Sequence, residues 1–280
     1  MKRHLLVLGA LALAAPLVAQ RVVDEDGRVI QLFLYKDHPA FSQPEARRSN
    51  NITYHGGPTI TKAKVVEIFW GPSWGTNGSP GALASTMMGF FAQYGTNGEF
   101  KVITQYSGIQ QNNLTNQYWI DPANPSNVAV SDAMIQAEVV HCFNAGGCVF
   151  DPSTIYEVFL PAGYYSTLGT ATSCGGPHLQ YCAYHSNFSW SGNDVKYSSM
   201  PQPSCSGCQS AGWTTAENFQ HFATHETREA VTDPDGNAWY DRSGNEADDK
   251  CAWSPAPFID AGFGYQYEWS NADSGCVKTK

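Results

Sequence analysis

Two stretches decide the fold class: Val65-Val-Glu-Ile-Phe-Trp70, closed by Gly71-Pro72, and Ala82-Leu-Ala-Ser-Thr-Met-Met-Gly-Phe-Phe-Ala-Gln-Tyr94. The first is short, β-branched and aromatic, and it stops at a turn dipeptide, as a buried strand does. The second puts Leu83, Met87, Phe90 and Phe91 on one helical stripe. The alternation continues outward. Phe100–Tyr106 reads as a second strand, and the Asn-rich tract 111–127 as a loop. Ser131–Phe143 reads as a helix capped by Ser131, with Met134, Ala137, Val140 and Cys142 facing inward. Ile155–Leu160 is a third strand stopped by Pro161, and Tyr181–Tyr184 and Val195–Met200 are shorter ones. Thr214–Val231 is the longest helical segment, ending ahead of Pro234. This succession predicts an α/β (α+β) domain: a mixed twisted sheet packed by helices, with C-terminal loops tied by disulfides.

The chain divides into three parts. Lys2, Arg3 and His4 precede an apolar run from Leu5 to Val18, and Ala19 suits cleavage, so residues 1–19 read as a signal peptide. The run is short and broken by Pro16, which argues against a bilayer anchor. Residues 20–53 form a polar arm carrying Asp24-Glu25-Asp26 and Arg47-Arg48 without sustained periodicity. Residues 54–280 form one domain without internal repeats. No later segment is long and apolar enough to span a membrane, so the expected location is extracellular or periplasmic.

Composition narrows the function. With 13% aromatic and 15% charged residues the 280-residue chain is not disordered. A formal charge of -9 without a basic cluster excludes nucleic acid as the main partner. The sequence holds no Gly-x-Ser-x-Gly elbow, phosphate loop or dinucleotide fingerprint. In an exported chain, eight cysteines read as disulfides rather than a zinc knuckle at Cys205-Ser-Gly-Cys208. Short loops close most readily, which favours neighbours: Cys142 with Cys148, Cys174 with Cys182, Cys205 with Cys208, and Cys251 with Cys276.

The chemistry concentrates in His221-Phe-Ala-Thr-His225-Glu226-Thr-Arg-Glu229-Ala-Val-Thr232-Asp233-Pro234. Four residues apart on a helix, His225 and Glu229 project from one face and can grip a single cation. Glu226 sits where the glutamate of His-Glu-x-x-His metallohydrolases acts as general base, with Glu229 replacing the second histidine. Zinc needs a third ligand and an open position. Asp235 lies ten places after His225, where many metallopeptidases place that ligand; Asp233, Asp241, Glu246 and His185 are the alternatives. His221, four before His225, is a ligand, an outer-shell donor or a proton shuttle. The competing reading is a solvated helix face with Arg228 paired among acids. Downstream, Asp233-Pro-Asp235-Gly-Asn237 through Asp241 reads either as a calcium loop or as a turn built on Asx caps.

Several segments resemble the EXORDIUM (phosphate-induced) family of secreted proteins: Gly56-Gly57-Pro58, Phe69-Trp70, Cys182-Ala-Tyr-His185, Cys205-Ser-Gly-Cys208, and Thr232-Asp-Pro-Asp-Gly-Asn-Ala-Trp-Tyr240 followed by Cys251. The resemblance runs from about Tyr54 to Cys276. Plant members typically lack the His-Glu pair ahead of the Thr-Asp-Pro segment, whereas bacterial relatives look like they keep it. The resemblance therefore implies a metallopeptidase-like ancestor and a metal at His225 and Glu229.

Three functions are expected. One is a secreted zinc-dependent metallopeptidase acting on peptides or proteins, with Tyr240 or His185 as oxyanion donor. A second is a non-catalytic EXORDIUM-like protein that binds cell-wall polysaccharide or a protein partner through Trp70, Trp74, Trp119 and Trp190. The third is a purely structural calcium site at 233–241.

Overall fold

A computed structural model describes residues 20–24, 26–42 and 50–280; the expected signal peptide lies outside these residues. Seven strands form one mixed sheet: β1 (Arg21–Val23), β2 (Val29–Leu34), β3 (Lys64–Trp70), β4 (Thr115–Asp121), β5 (Thr154–Phe159), β6 (Tyr181–Trp190) and β7 (Asn193–Met200). Their spatial order is β1-β2-β6-β7-β5-β3-β4. The strands β7, β5, β3 and β4 run parallel, while β1, β2 and β6 add an antiparallel edge. Helix α1 (Ala82–Tyr94) and helix α3 (Thr215–Thr232) cover one face, and helix α2 (Asp132–Asn144) the other.

Side-chain alternation along the strands sorts the core. On β3, Val65 and Phe69 pack towards α1 and α3, whereas Val66, Ile68 and Trp70 pack towards α2. The same alternation aims Glu67, Glu157 and His185 at α3, and all three are buried. Thr214 starts α3 with a capping box: its hydroxyl accepts from the Glu217 amide while the Glu217 carboxylate accepts from the Thr214 amide. From Asn218 to Thr232 every residue of α3 is buried. The sheet lies on one side of it and the segment 246–270 on the other. The solvated-face reading of this helix is therefore wrong.

Several expectations need correction. Residues 20–34 are no surface arm, because β1 and β2 complete the sheet and Ile30–Leu34 are buried. Phe100–Tyr106 is not a strand. The Asn97 side chain accepts from the Phe100 amide and caps a short helix, Gly98–Lys101, which runs into a 3-10 turn at Val102–Gln105. The strand expected there is β4, inside the tract read as a loop. Ser131 does cap α2, but the buried stripe is Ile135, Glu138, Val139 and Cys142, leaving Ala137 exposed. Tyr181–Trp190 and Asn193–Met200 are longer than expected and form a tight hairpin.

The cysteines pair as Cys142–Cys148, Cys174–Cys205, Cys182–Cys208 and Cys251–Cys276, and no described cysteine is left unpaired. Two expected neighbour pairs, Cys174 with Cys182 and Cys205 with Cys208, are thus exchanged. Loop closure costs only about 0.6 kcal/mol per doubling of length, so the position of Cys182 on β6 outweighs it. No helix among the described residues is long and apolar enough to cross a membrane.

Candidate metal centre

The centre forms where α3 faces β6 and the loop after Asp241. His225 and Glu229 lie one helical turn apart, with His225 Nε2 3.1 Å from Glu229 Oε2. Asp249, in the turn Asp249–Cys251, brings Oδ1 to 3.5 Å from the same nitrogen. Each of these three residues has its other polar atom tied down. His225 Nδ1 donates to Gln266 Oε1 at 3.2 Å, Glu229 Oε1 accepts from the Asp249 amide at 3.0 Å, and Asp249 Oδ2 accepts from the Glu246 amide at 3.0 Å. The atoms that converge, His225 Nε2, Glu229 Oε2 and Asp249 Oδ1, are buried and make no directed hydrogen bond. Two ligands about 2.1 Å from a tetrahedral ion sit about 3.4 Å apart, so the spacings fit a shared cation.

Beside this triad, His185 from β6 donates Nδ1–H to Glu226 Oε2 at 2.9 Å, and its Nε2 lies 3.7 Å from Glu246 Oε2. His185 Nε2, Glu226 Oε1 and both Glu246 oxygens are buried without hydrogen-bond partners. Four carboxylates, those of Glu226, Glu229, Glu246 and Asp249, thus share one water-excluded volume with two imidazoles. Burial, reinforced by Asp249, pushes the Glu229 carboxyl up to about 8. Burial likewise raises Glu226 and Glu246. Burial and the neighbouring His225 lower His185 to about 3, leaving a neutral ring suited to ligation. For His225 burial acts downward, but the Glu229 and Asp249 carboxylates outweigh it and raise the ring well above the ordinary range. Without a cation this buried volume thus disfavours ionised carboxylates, and a bound cation would favour them.

Of the remaining sequence candidates, Asp233 adjoins His185 and Glu246 with Oδ2 buried and unpartnered, and the others are held by different partners. Asp235 pairs with Lys196. Asp241 caps its own turn, accepting from the Ser243 and Asn245 amides, and pairs with Lys250 at 3.3 Å. Asp233 Oδ1 accepts from the Asn237 and Ala238 amides. The stretch 233–241 is therefore an Asx-capped turn, and its acids do not gather as a cation-holding group among the described residues. His221 Nε2 pairs with Gln266 Oε1 at 3.0 Å, its ring lies edge-on to Trp253, and it belongs to neither ligand group. Tyr240 stacks on His55, away from the centre. Of the expected residues, the structure brings together His185, His225, Glu226, Glu229 and Glu246.

Sequence reasoning missed Asp249 as a ligand, and Gln266 altogether. The acidic run Glu246-x-Asp248-Asp249, immediately before Cys251, was the available signal. Gln266 has no local signature. It joins His221 and His225 through Oε1 and donates through Nε2 to Asp248. A separate acid–histidine group joins Asp121 at the end of β4 to Glu138 and His141 of α2 and shares no residue with this centre.

No protein-family model, curated protein or solved structure matches the chain. Its chemistry must therefore be argued from the geometry above.

Proposed function

We propose that the protein is a secreted metal-dependent hydrolase, specifically a zinc metallopeptidase, in which His225, Glu229 and Asp249 hold the cation and Glu226 is the general base. The observation that carries this reading is the convergence of three buried ligand atoms that meet one another without a directed hydrogen bond, while the opposite atom of each residue is anchored by the protein. Outer-shell anchoring of this kind sets the ligand tautomer and orientation. Zinc held there by three protein ligands would have a fourth position for a water, which it would acidify, and it would polarise a scissile carbonyl. Glu226 is arranged for proton transfer: His185 holds Oε2, Oε1 has no partner, and burial raises its proton affinity. It would take the proton of the attacking water and return it to the leaving amine. The resemblance to bacterial EXORDIUM relatives that keep His-Glu-x-x-Glu supports the same assignment.

The test is Glu226→Gln in the full chain, with zinc content and turnover of a quenched fluorescent casein measured side by side. Zinc should stay bound while turnover falls by about 100- to 10,000-fold. Unchanged turnover would remove Glu226 from the chemistry.

One observation favours a second reading. His225, Glu226 and Glu229 are at most 1% exposed, and the Phe33 ring stacks on His225 at 4.1 Å. A purely structural cation would suit such enclosure. In that case chelation lowers the melting temperature, yet the metal-loaded chain hydrolyses nothing. Polysaccharide binding through Trp70, Trp74, Trp119 and Trp190 has less to draw on, because the first two are buried and the other two pack against the core.

A further inference from the structure

We infer that the centre is built for two divalent cations, with Glu229 shared between them and with His185 and Glu246 completing the second position. This rests on the reading of His225, Glu229 and Asp249 as the first position and extends it.

The ligand atoms divide into two triads that share one residue: His225, Glu229 and Asp249, and His185, Glu229 and Glu246. Within each triad the atoms lie no more than 4.8 Å apart. Glu229 is oriented for sharing. Its Oε1 is occupied by the Asp249 amide, while Oε2 lies 3.1 Å from His225 Nε2 and 3.9 Å from the near edge of the His185 ring, at the Nδ1 that Glu226 holds.

Glu246 is the residue a single cation leaves unexplained. It is fully buried, yet neither of its oxygens has a hydrogen-bond partner among the described residues. A buried carboxylate unsatisfied at both oxygens is costly unless something charged meets it. The guanidinium of Arg21 is engaged over the Tyr240 ring and with the Gly236 carbonyl. His185 aims its unpartnered Nε2 at Glu246, and its other nitrogen is anchored on the Glu226 carboxylate, the carboxylate–histidine arrangement that orients a metal ligand.

Paired-metal sites hold their ions about 3.5–4 Å apart, a separation that one shared carboxylate oxygen can bridge. On this assignment Glu226 acts from His185 at the second position towards a substrate at the first, and the His185→Ala substitution touches both metal count and base orientation.

The experiment strips the full-length protein with chelator, reloads it with zinc and counts zinc per chain by elemental analysis, then repeats the loading with manganese for electron paramagnetic resonance. Wild-type protein should bind two zinc ions and give the broadened, coupled spectrum of neighbouring manganese ions. His185→Ala and Glu246→Gln should each bind one zinc and give a single-ion manganese spectrum. Saturation of the wild type at one zinc with a single-ion spectrum overturns the second position and leaves the first standing. Failure to bind any zinc overturns both. Two zinc ions retained in both variants would overturn the assignment of His185 and Glu246. Should either variant fail to fold, the wild-type count and spectrum decide the question alone.

Discussion

Helix α3 buries charge on two sides, and the two sides are solved differently. On one, Arg228 is fully buried with its own counterions: Nε lies 3.0 Å from Asp248 Oδ1 and 2.5 Å from Glu268 Oε2, and Nη1 donates to the Glu99 carbonyl. On the other, Glu226, Glu229, Glu246 and Asp249 face two histidines with several oxygens unpartnered. The first side carries its own fixed cation: although neither Glu268 oxygen makes a directed hydrogen bond, Arg228 pairs with both Glu268 and Asp248, and this side reads as architecture. The second is closed only when something is added, and it reads as a binding site. Gln266 joins them, accepting from His221 and His225 and donating to Asp248, with its own carbonyl near Arg228.

Breaking the self-sufficient side should cost most. Arg228→Met leaves Asp248 and Glu268 buried without their cation and should lower unfolding stability in urea by about 3–5 kcal/mol, whether or not metal is present. A loss below about 1 kcal/mol would mean that this side is not closed by the ion pair. Removing metal should act only on the other side. Chelation should cost about 3 kcal/mol relative to protein in zinc at a hundredfold excess over its dissociation constant, recovered on adding zinc back. A melting temperature indifferent to chelator and zinc would erase the distinction between the two sides.

The junction gives an intermediate effect. Gln266→Leu removes the acceptor that fixes the His225 tautomer, and zinc affinity measured by chelator competition should fall about 10- to 100-fold. The smallest effect, read at pH 5, belongs to the substitution of Glu157 on β5, which accepts from the Thr227 hydroxyl at 2.6 Å. Burial raises this carboxyl to about 8 in the folded protein, against an ordinary value near 4.3 in the unfolded chain. The folded state therefore holds the proton more tightly, so stability should fall as pH rises from about 4.5 towards 8. Glu157→Gln keeps a neutral acceptor for the Thr227 hydroxyl, so it should change stability by no more than about 1 kcal/mol at pH 5 and flatten that decline. An identical pH slope in mutant and wild type would show that Glu157 does not titrate in this range.

What could be read beforehand follows the range of the interactions. The pairing of His225 with Glu229 depends on helical pitch alone, and it was legible. The strand at Val65–Trp70, the helices from Ala82 and Thr214, and the Ser131 cap are equally local. Strand β2 was read as part of the polar arm because Val29–Leu34 is brief and follows a charged run, although it is apolar throughout except at Gln31. Phe100–Tyr106 has strand-like composition, yet the Asn97 cap turns it into helix. The third ligand could not be found by counting ten places from His225. Asp235 is drawn off by Lys196, whereas Asp249 arrives through the hydrogen bond its backbone amide donates to Glu229 and a turn held by the Cys251–Cys276 disulfide. Disulfide exchange between the two central pairs has the same origin, since strand position decides it and sequence distance does not.

The most direct measurement is anomalous X-ray scattering at the zinc edge from crystals of the zinc-loaded protein. The account predicts an anomalous peak between His225 Nε2, Glu229 Oε2 and Asp249 Oδ1, within about 2.3 Å of each. Featureless density there, with the imidazole of residue 225 bonded directly to the carboxylate of residue 229, would contradict it.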